Sequence, residues 1–126
     1  MSHILIAEDE DSLRSLVQRA LLLDGHVVQV ANDGAEALAI LAREQGRFDL
    51  LLADIKMPVM DGIALALAAA RDFPNLTILL MTGYADQRER AHGLDALVHD
   101  VITKPFTLAQ IRTAVAEALA GARQAT

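Results

Sequence analysis

The chain has no cysteine and no tryptophan, a single tyrosine, three phenylalanines and three prolines. Without thiols there is neither a disulfide nor a thiolate metal site to hold a fold together, so stability has to come from an apolar core. At 126 residues such a core is within reach, since a single domain of this size buries roughly two thirds of the surface its unfolded chain exposes. Lysine is scarce: Lys56 and Lys104 are the only two, and the formal charge is −6. That balance argues against a surface that neutralises nucleic-acid phosphates with clustered cations, and the close pair Arg88 and Arg90 fits a solvated helix face. The longest apolar runs reach about half of the roughly 20 residues a bilayer crossing requires. Met1-Ser2-His3 leads into a short strand-like run rather than a signal sequence. A soluble, cytoplasmic protein with neither membrane nor nucleic acid as partner is expected. Neither GxSxG nor GxGxxG occurs, so nucleophile-elbow hydrolases and dinucleotide binders lose support.

What is present is alternation. Ile4 to Ala7 is a continuous apolar run that stops at Glu8-Asp9-Glu10-Asp11, as suits a strand buried on both faces and ending at a polar edge. Leu13, Leu16, Val17, Ala20 and Leu21 then recur at helical spacing, with Asp11 or Ser12 available as cap. Val27 to Val30 reads as a second strand. Asp33 with Glu36 opens a second helix in capping-box fashion. Leu50 to Ala53 is a third strand, and a helix follows Gly62. Ile78 to Met81 makes a fourth, ending at Thr82-Gly83, and a weakly helical stretch spans Asp86 to Leu94. Asp100 to Thr103 makes a fifth strand, and Thr107 with Gln110 caps a last helix. Five strands alternating with five helices predict an α/β fold with a parallel sheet covered on both faces. Residues 1–121 form the expected domain and 122–126 a short tail.

In such a sheet ligands sit beyond the carboxyl ends of the strands, where the strand order reverses. Those ends carry Glu8-Asp9, Asp54, Thr82 and Lys104. Each alone reads as an ordinary cap, turn residue or surface charge; their convergence at one edge is what points to chemistry. Crowded carboxylates repel, at about 4 kcal/mol for a pair about 4 Å apart at an effective dielectric of 20. A hard divalent cation offsets that, and an open carboxylate site suits Mg²⁺. The four histidines show no ligand spacing, and Asp61 reads as the cap of the helix after Gly62.

Four separated stretches, Ile4 to Asp11, Asp54 to Gly62, Thr82-Gly83 and Lys104-Pro105-Phe106, resemble in order and spacing the motifs of response regulator receiver domains, and the resemblance covers essentially the whole chain. It implies a flavodoxin-like (βα)5 fold with strand order 2-1-3-4-5 and Asp54 as phosphoryl acceptor. It further implies Mg²⁺ bound by Asp9, Asp54 and the backbone carbonyl of Lys56, with Glu8 acting through water. Thr82 and Lys104 would engage the phosphoryl oxygens, and the Lys104–Pro105 peptide would be cis. The implied partners are a sensor histidine kinase or histidine phosphotransfer protein and a downstream protein target, bound through the face around the fourth helix, fifth strand and fifth helix. A stand-alone receiver that catalyses only its own phosphorylation and dephosphorylation is expected. The alternatives are a receiver cut from a hybrid kinase or multidomain regulator, and a Mg²⁺-dependent aspartyl-phosphate phosphohydrolase. The common phosphohydrolase form places a second aspartate two residues after the nucleophile, where this chain has Lys56.

Two positions depart from the family pattern. Glu8 stands where many receivers have aspartate, and Val101 where many have an aromatic residue that swings inward, so that rotamer switch cannot operate. Tyr84 is the nearest aromatic residue in sequence to Thr82, and it is expected to control access to Asp54.

Overall fold

The computed structural model describes residues 2–83, 93, 94 and 96–124. In chain order its elements are β1 (His3–Ala7), α1 (Asp11–Leu23), β2 (Val27–Ala31), α2 (Gly34–Arg43), β3 (Leu50–Asp54), α3 (Gly62–Asp72), β4 (Thr77–Thr82), β5 (Asp100–Thr103) and α4 (Leu108–Gln124). The helical stretch expected from Asp86 lies, apart from Gly93 and Leu94, outside the described residues, as does Tyr84. The last helix continues past the expected boundary at Gly121 to Gln124. A side chain at Gly121 would come within 3.3 Å of His99 Cε1, so this glycine marks close packing against the entry to β5 and not a helix end.

All strand pairs are parallel, in the order β2-β1-β3-β4-β5. This is the expected flavodoxin-like order, and it places the reversal between β1 and β3. The physical basis is the two-sided burial of the central strands, whose alternate residues serve opposite faces. Leu5, Ala7, Leu51, Ala53, Ile78 and Leu80 pack with Ala37, Leu41, Leu65 and Ala66 of α2 and α3. Ile4, Ile6, Leu50, Leu52, Leu79 and Met81 pack with Val17 and Leu21 of α1 and Ile111 and Val115 of α4. Every residue of β3 is buried. Each fully buried leucine or isoleucine contributes about 1.5–3 kcal/mol, so the sheet needs no covalent support.

The helix starts follow the sequence closely, with one exception. Asp33 accepts the Glu36 N–H at 2.8 Å, and Glu36 in turn accepts the Asn32 N–H at 3.1 Å. Asp61 accepts the Ala64 N–H at 2.8 Å, as expected of a cap. Thr107 and Gln110 form a reciprocal pair, with the Gln110 N–H donating to Thr107 Oγ1 at 3.0 Å and the Thr107 N–H to Gln110 Oε1 at 2.7 Å. At α1 the cap position is Glu10 rather than Asp11 or Ser12, and its side chain makes no capping bond. The acidic run there serves the sheet edge, as described next. No helix among the described residues is long and apolar enough to cross a membrane.

Candidate functional site

The carboxyl ends of β1, β3 and β5 enclose a cleft of about 480 Å³ lined by Glu8, Asp9, Glu10, Asp54, Lys56, Gly83, Lys104 and Pro105. Asp54 is the last residue of β3, pairs in register with Met81 of β4, and is 6% exposed. Glu8 follows β1 and is 1% exposed. Lys104 follows β5, where its N–H donates to the Thr82 carbonyl at 2.7 Å. Its side chain bridges the two carboxylates: Nζ lies 2.9 Å from Glu8 Oε1 and 2.9 Å from Asp54 Oδ2. The protein therefore offsets part of its own carboxylate repulsion, a task the sequence reading assigned to a cation from solution alone. The second Glu8 oxygen, Oε2, accepts the Glu10 N–H at 3.1 Å.

Glu8, Asp9 and Asp54 each offer a carboxylate oxygen within 4.8 Å of the others. Three hard oxygen donors this close, with Asp9 exposed and two partners buried, fit a Mg²⁺ ion that retains several waters. Lys56 and Pro105 line the same cleft, and the Lys104–Pro105 peptide is cis. Thr82 lies at the end of β4 opposite Thr103 and is fully buried. Val101 sits further from the edge, opposite Leu80, half-buried against the core.

The loop after Asp54 is fixed by backbone contacts. The Ile55 N–H donates to the Met81 carbonyl at 2.9 Å and the Gly62 N–H to the Ile55 carbonyl at 2.8 Å. Val59 forms the apex of a three-residue turn, with φ at 69° and the Met60 N–H donating to the Pro58 carbonyl at 2.7 Å. That left-handed conformation is costly for a β-branched residue. The Met60 carbonyl accepts the Gly34 N–H at 3.1 Å, tying this loop to the start of α2.

Sequence reasoning missed Arg14. On the first turn of α1, its Nη1 donates to the Glu8 carbonyl at 2.9 Å and its Nη2 pairs with Asp11 at 2.6 Å. The available signal was its spacing three residues after Asp11, which makes an i,i+3 ion pair possible on a helix.

A family model described as response regulator receiver domain matches residues 4–116. The chain belongs to this family. The receiver is 37% identical over 108 residues to the response regulator MprA of Mycobacterium leprae, covering 86% of this chain and 46% of that protein, and it thus spans about half the length of this relative. It superimposes on the CheY-like receiver domain protein of Methanospirillum hungatei with a TM-score of 0.90, at 28% identity and over 100% and 99% of the two chains. A TM-score of 0.81 relates it to the response regulator TrrA of Thermotoga maritima, solved in complex with Mg²⁺ and BeF, at 26% identity and over 94% and 99% of the chains.

The electrostatics of the receiver site have a measurable consequence. Burial pushes the Glu8 carboxyl up to about 7 from 4.5; the Glu10 N–H and the Lys104 ammonium pull it down less strongly, and the Asp54 charge adds to the rise. Burial alone would lower Lys104, but its bonds to Asp54 and Glu8 outweigh that and hold it above the ordinary lysine value. A carboxyl raised in the folded state keeps a proton that the unfolded chain has released, so stability is full below about pH 4.5 and falls as pH rises through about 7. The shift corresponds to at most about 3 kcal/mol. Urea unfolding in EDTA across this window should show the decline in wild type and a flatter profile in Glu8→Gln. Parallel profiles would show that Glu8 titrates normally.

Proposed function

We propose that this receiver takes a phosphoryl group from a phosphohistidine donor onto Asp54, in a Mg²⁺-dependent reaction, and signals through altered protein binding. The observation that carries this reading is the Asp54 carboxylate itself: buried, at the end of a central strand, 2.9 Å from the Lys104 ammonium and at the wall of an open acidic cleft. The family to which the chain belongs supports a histidine kinase, or a phosphotransfer protein, as the donor. Cytoplasmic location belongs to the same reading.

An Asp54 oxygen attacks the phosphorus, an O–P bond forms, and the N–P bond to the donor imidazole breaks. The imidazole nitrogen keeps the electron pair and takes a proton from solvent. Phosphoryl transfer asks a protein chiefly for positioning and charge neutralisation, and the backbone ties of Ile55 and Gly62 hold the acceptor for in-line approach. Lys104 exchanges the Asp54 carboxylate for a phosphoryl oxygen while keeping Glu8, and Thr82 supplies a hydroxyl from β4. Asp9, Asp54 and the Lys56 carbonyl, with Glu8 through water, would hold Mg²⁺, which would supply positive charge to the transferring group. The Mg²⁺ complex of the Thermotoga relative supports this assignment. Water attack on phosphorus later breaks the O–P bond and returns the carboxylate. Turnover of outside substrates is not part of the reading, because Lys56 occupies the position where an aspartate phosphohydrolase carries its acid–base aspartate.

The added phosphoryl group brings about −1.5 to −2 charge to the edge. Lys104, and β5 with it, gains a new partner there. Val101 offers no ring to swing inward, so the response travels through backbone and packing around β5, and the output partner reads that surface. The test uses acetyl phosphate as a small donor. With Mg²⁺ the protein should gain the mass of one phosphoryl group, lost in hydroxylamine, and borohydride reduction should convert Asp54 to homoserine. An adduct at another residue, or equal yield in EDTA, would overturn the reading.

A further inference from the structure

We propose that Arg14 is a positioning residue for the cation site: its guanidinium clamps the acidic turn from Glu8 to Asp11 and thereby sets the direction of Asp9. The inference rests on the Mg²⁺-binding reading given above and goes beyond it to a residue that is not among the carboxylates around the ion.

Glu8 is where the chain leaves the sheet. Its N–H still donates to the Ala31 carbonyl at 3.1 Å, continuing the β1–β2 ladder. Its carbonyl receives Arg14 Nη1 at 2.9 Å, and the other guanidinium nitrogen pairs with Asp11 Oδ1 at 2.6 Å. One planar fork thus spans both ends of the run Glu8-Asp9-Glu10-Asp11. Because the peptide unit is planar, fixing the Glu8 carbonyl also fixes the Asp9 nitrogen and Cα. Inside the clamp the Glu10 N–H donates to Glu8 Oε2 at 3.1 Å, and the Ser12 hydroxyl to Glu10 Oε1 at 3.1 Å. The Arg14 side chain is only 15% exposed, whereas Asp11 is 87% exposed. The half-buried bond to the Glu8 carbonyl is therefore the element that matters, and the surface ion pair mainly orients the fork.

Position and charge predict opposite signs for loss of Arg14. A positive charge beside a cation site repels the incoming ion, so an arginine acting through charge alone would bind Mg²⁺ more tightly once removed. An arginine acting by position would bind it more weakly, as partners outside the ligand sphere typically cost 10- to 100-fold in metal affinity when lost.

The experiment measures Mg²⁺ affinity by calorimetry, and the Mg²⁺-dependent rise in melting temperature, for wild type, Arg14→Met and Arg14→Lys. Methionine keeps an apolar stem, and lysine keeps the charge on a single donor that cannot span the carbonyl and Asp11 together. Both variants should bind on the order of tenfold more weakly. Acetyl phosphate labelling should need more Mg²⁺ for half-maximal rate yet reach a near-wild-type maximum, since Arg14 contacts neither Asp54 nor Lys104 in these bonds. Unchanged or tighter Mg²⁺ binding in Arg14→Met overturns the proposal, as does a parallel fall in melting temperature with and without Mg²⁺. If Arg14→Met does not fold, Arg14→Lys decides, and wild-type affinity there overturns it. Failure of the wild type itself to bind Mg²⁺ would reject the function reading instead.

Discussion

Asp54→Asn is expected to take up no phosphoryl group from acetyl phosphate at any Mg²⁺ concentration, while keeping its fold. The amide is nearly the same size as the carboxylate but carries no charge and no nucleophilic oxygen, so the bond-forming step has no starting group. Folding survives because Lys104 keeps its bond to Glu8 at 2.9 Å, which leaves no buried ammonium without a partner. Removing one of three clustered carboxylates also lowers Mg²⁺ affinity. Intact-protein mass spectrometry with circular dichroism checks both halves. A full adduct on a folded Asp54→Asn protein would place the acceptor elsewhere, whereas loss of adduct together with loss of fold would require Asp54→Ser as a second variant.

Gly62→Ala should impair stability and chemistry together. A methyl group there would lie 2.2 Å from the Asp54 carbonyl oxygen and 2.9 Å from Ile55 Cα. These are backbone atoms, so no side-chain rotation relieves the clash. Either α3 withdraws and breaks the 2.8 Å bond from the Gly62 N–H to the Ile55 carbonyl, or the end of β3 moves and carries Asp54 with it. Overpacking of this kind costs about 1–3 kcal/mol and sometimes more, and a displacement of about 1 Å at a reacting group can slow a reaction about 100-fold. Urea unfolding should show a fall of about 3 kcal/mol, and labelling at Asp54 should slow at least tenfold. Gly93→Ala is the control: nothing among the described residues lies within 4 Å of its new methyl group, and its stability should stay within about 0.5 kcal/mol of wild type. Equal behaviour of the two variants would mean that the contact at Gly62 is not needed.

The glycine result shows why a motif can be legible without its reason being so. Asp61-Gly62 reads as a cap and helix start, and Asp61 does cap α3. That Gly62 must be glycine follows from how closely α3 approaches the strand, a distance no local pattern contains. Arg14 is similar, since its i,i+3 relation to Asp11 is visible in the chain whereas its bond to the Glu8 carbonyl depends on where α1 lies against the sheet edge.

By itself the sequence determined the strands, most helix starts and the residues at each strand end, because periodicity and capping are local and each apolar run stops where its polar edge begins. It also determined the family, through four motifs in fixed order. What only the tertiary structure decided is how those ends meet. Lys104 reaches Glu8 and Asp54 across 96 and 50 residues of sequence, and it thereby becomes an internal counter-ion. Burial at the sheet edge then sets the charge of Glu8, since desolvation depends on what every neighbouring element covers and not on the residues beside it in the chain.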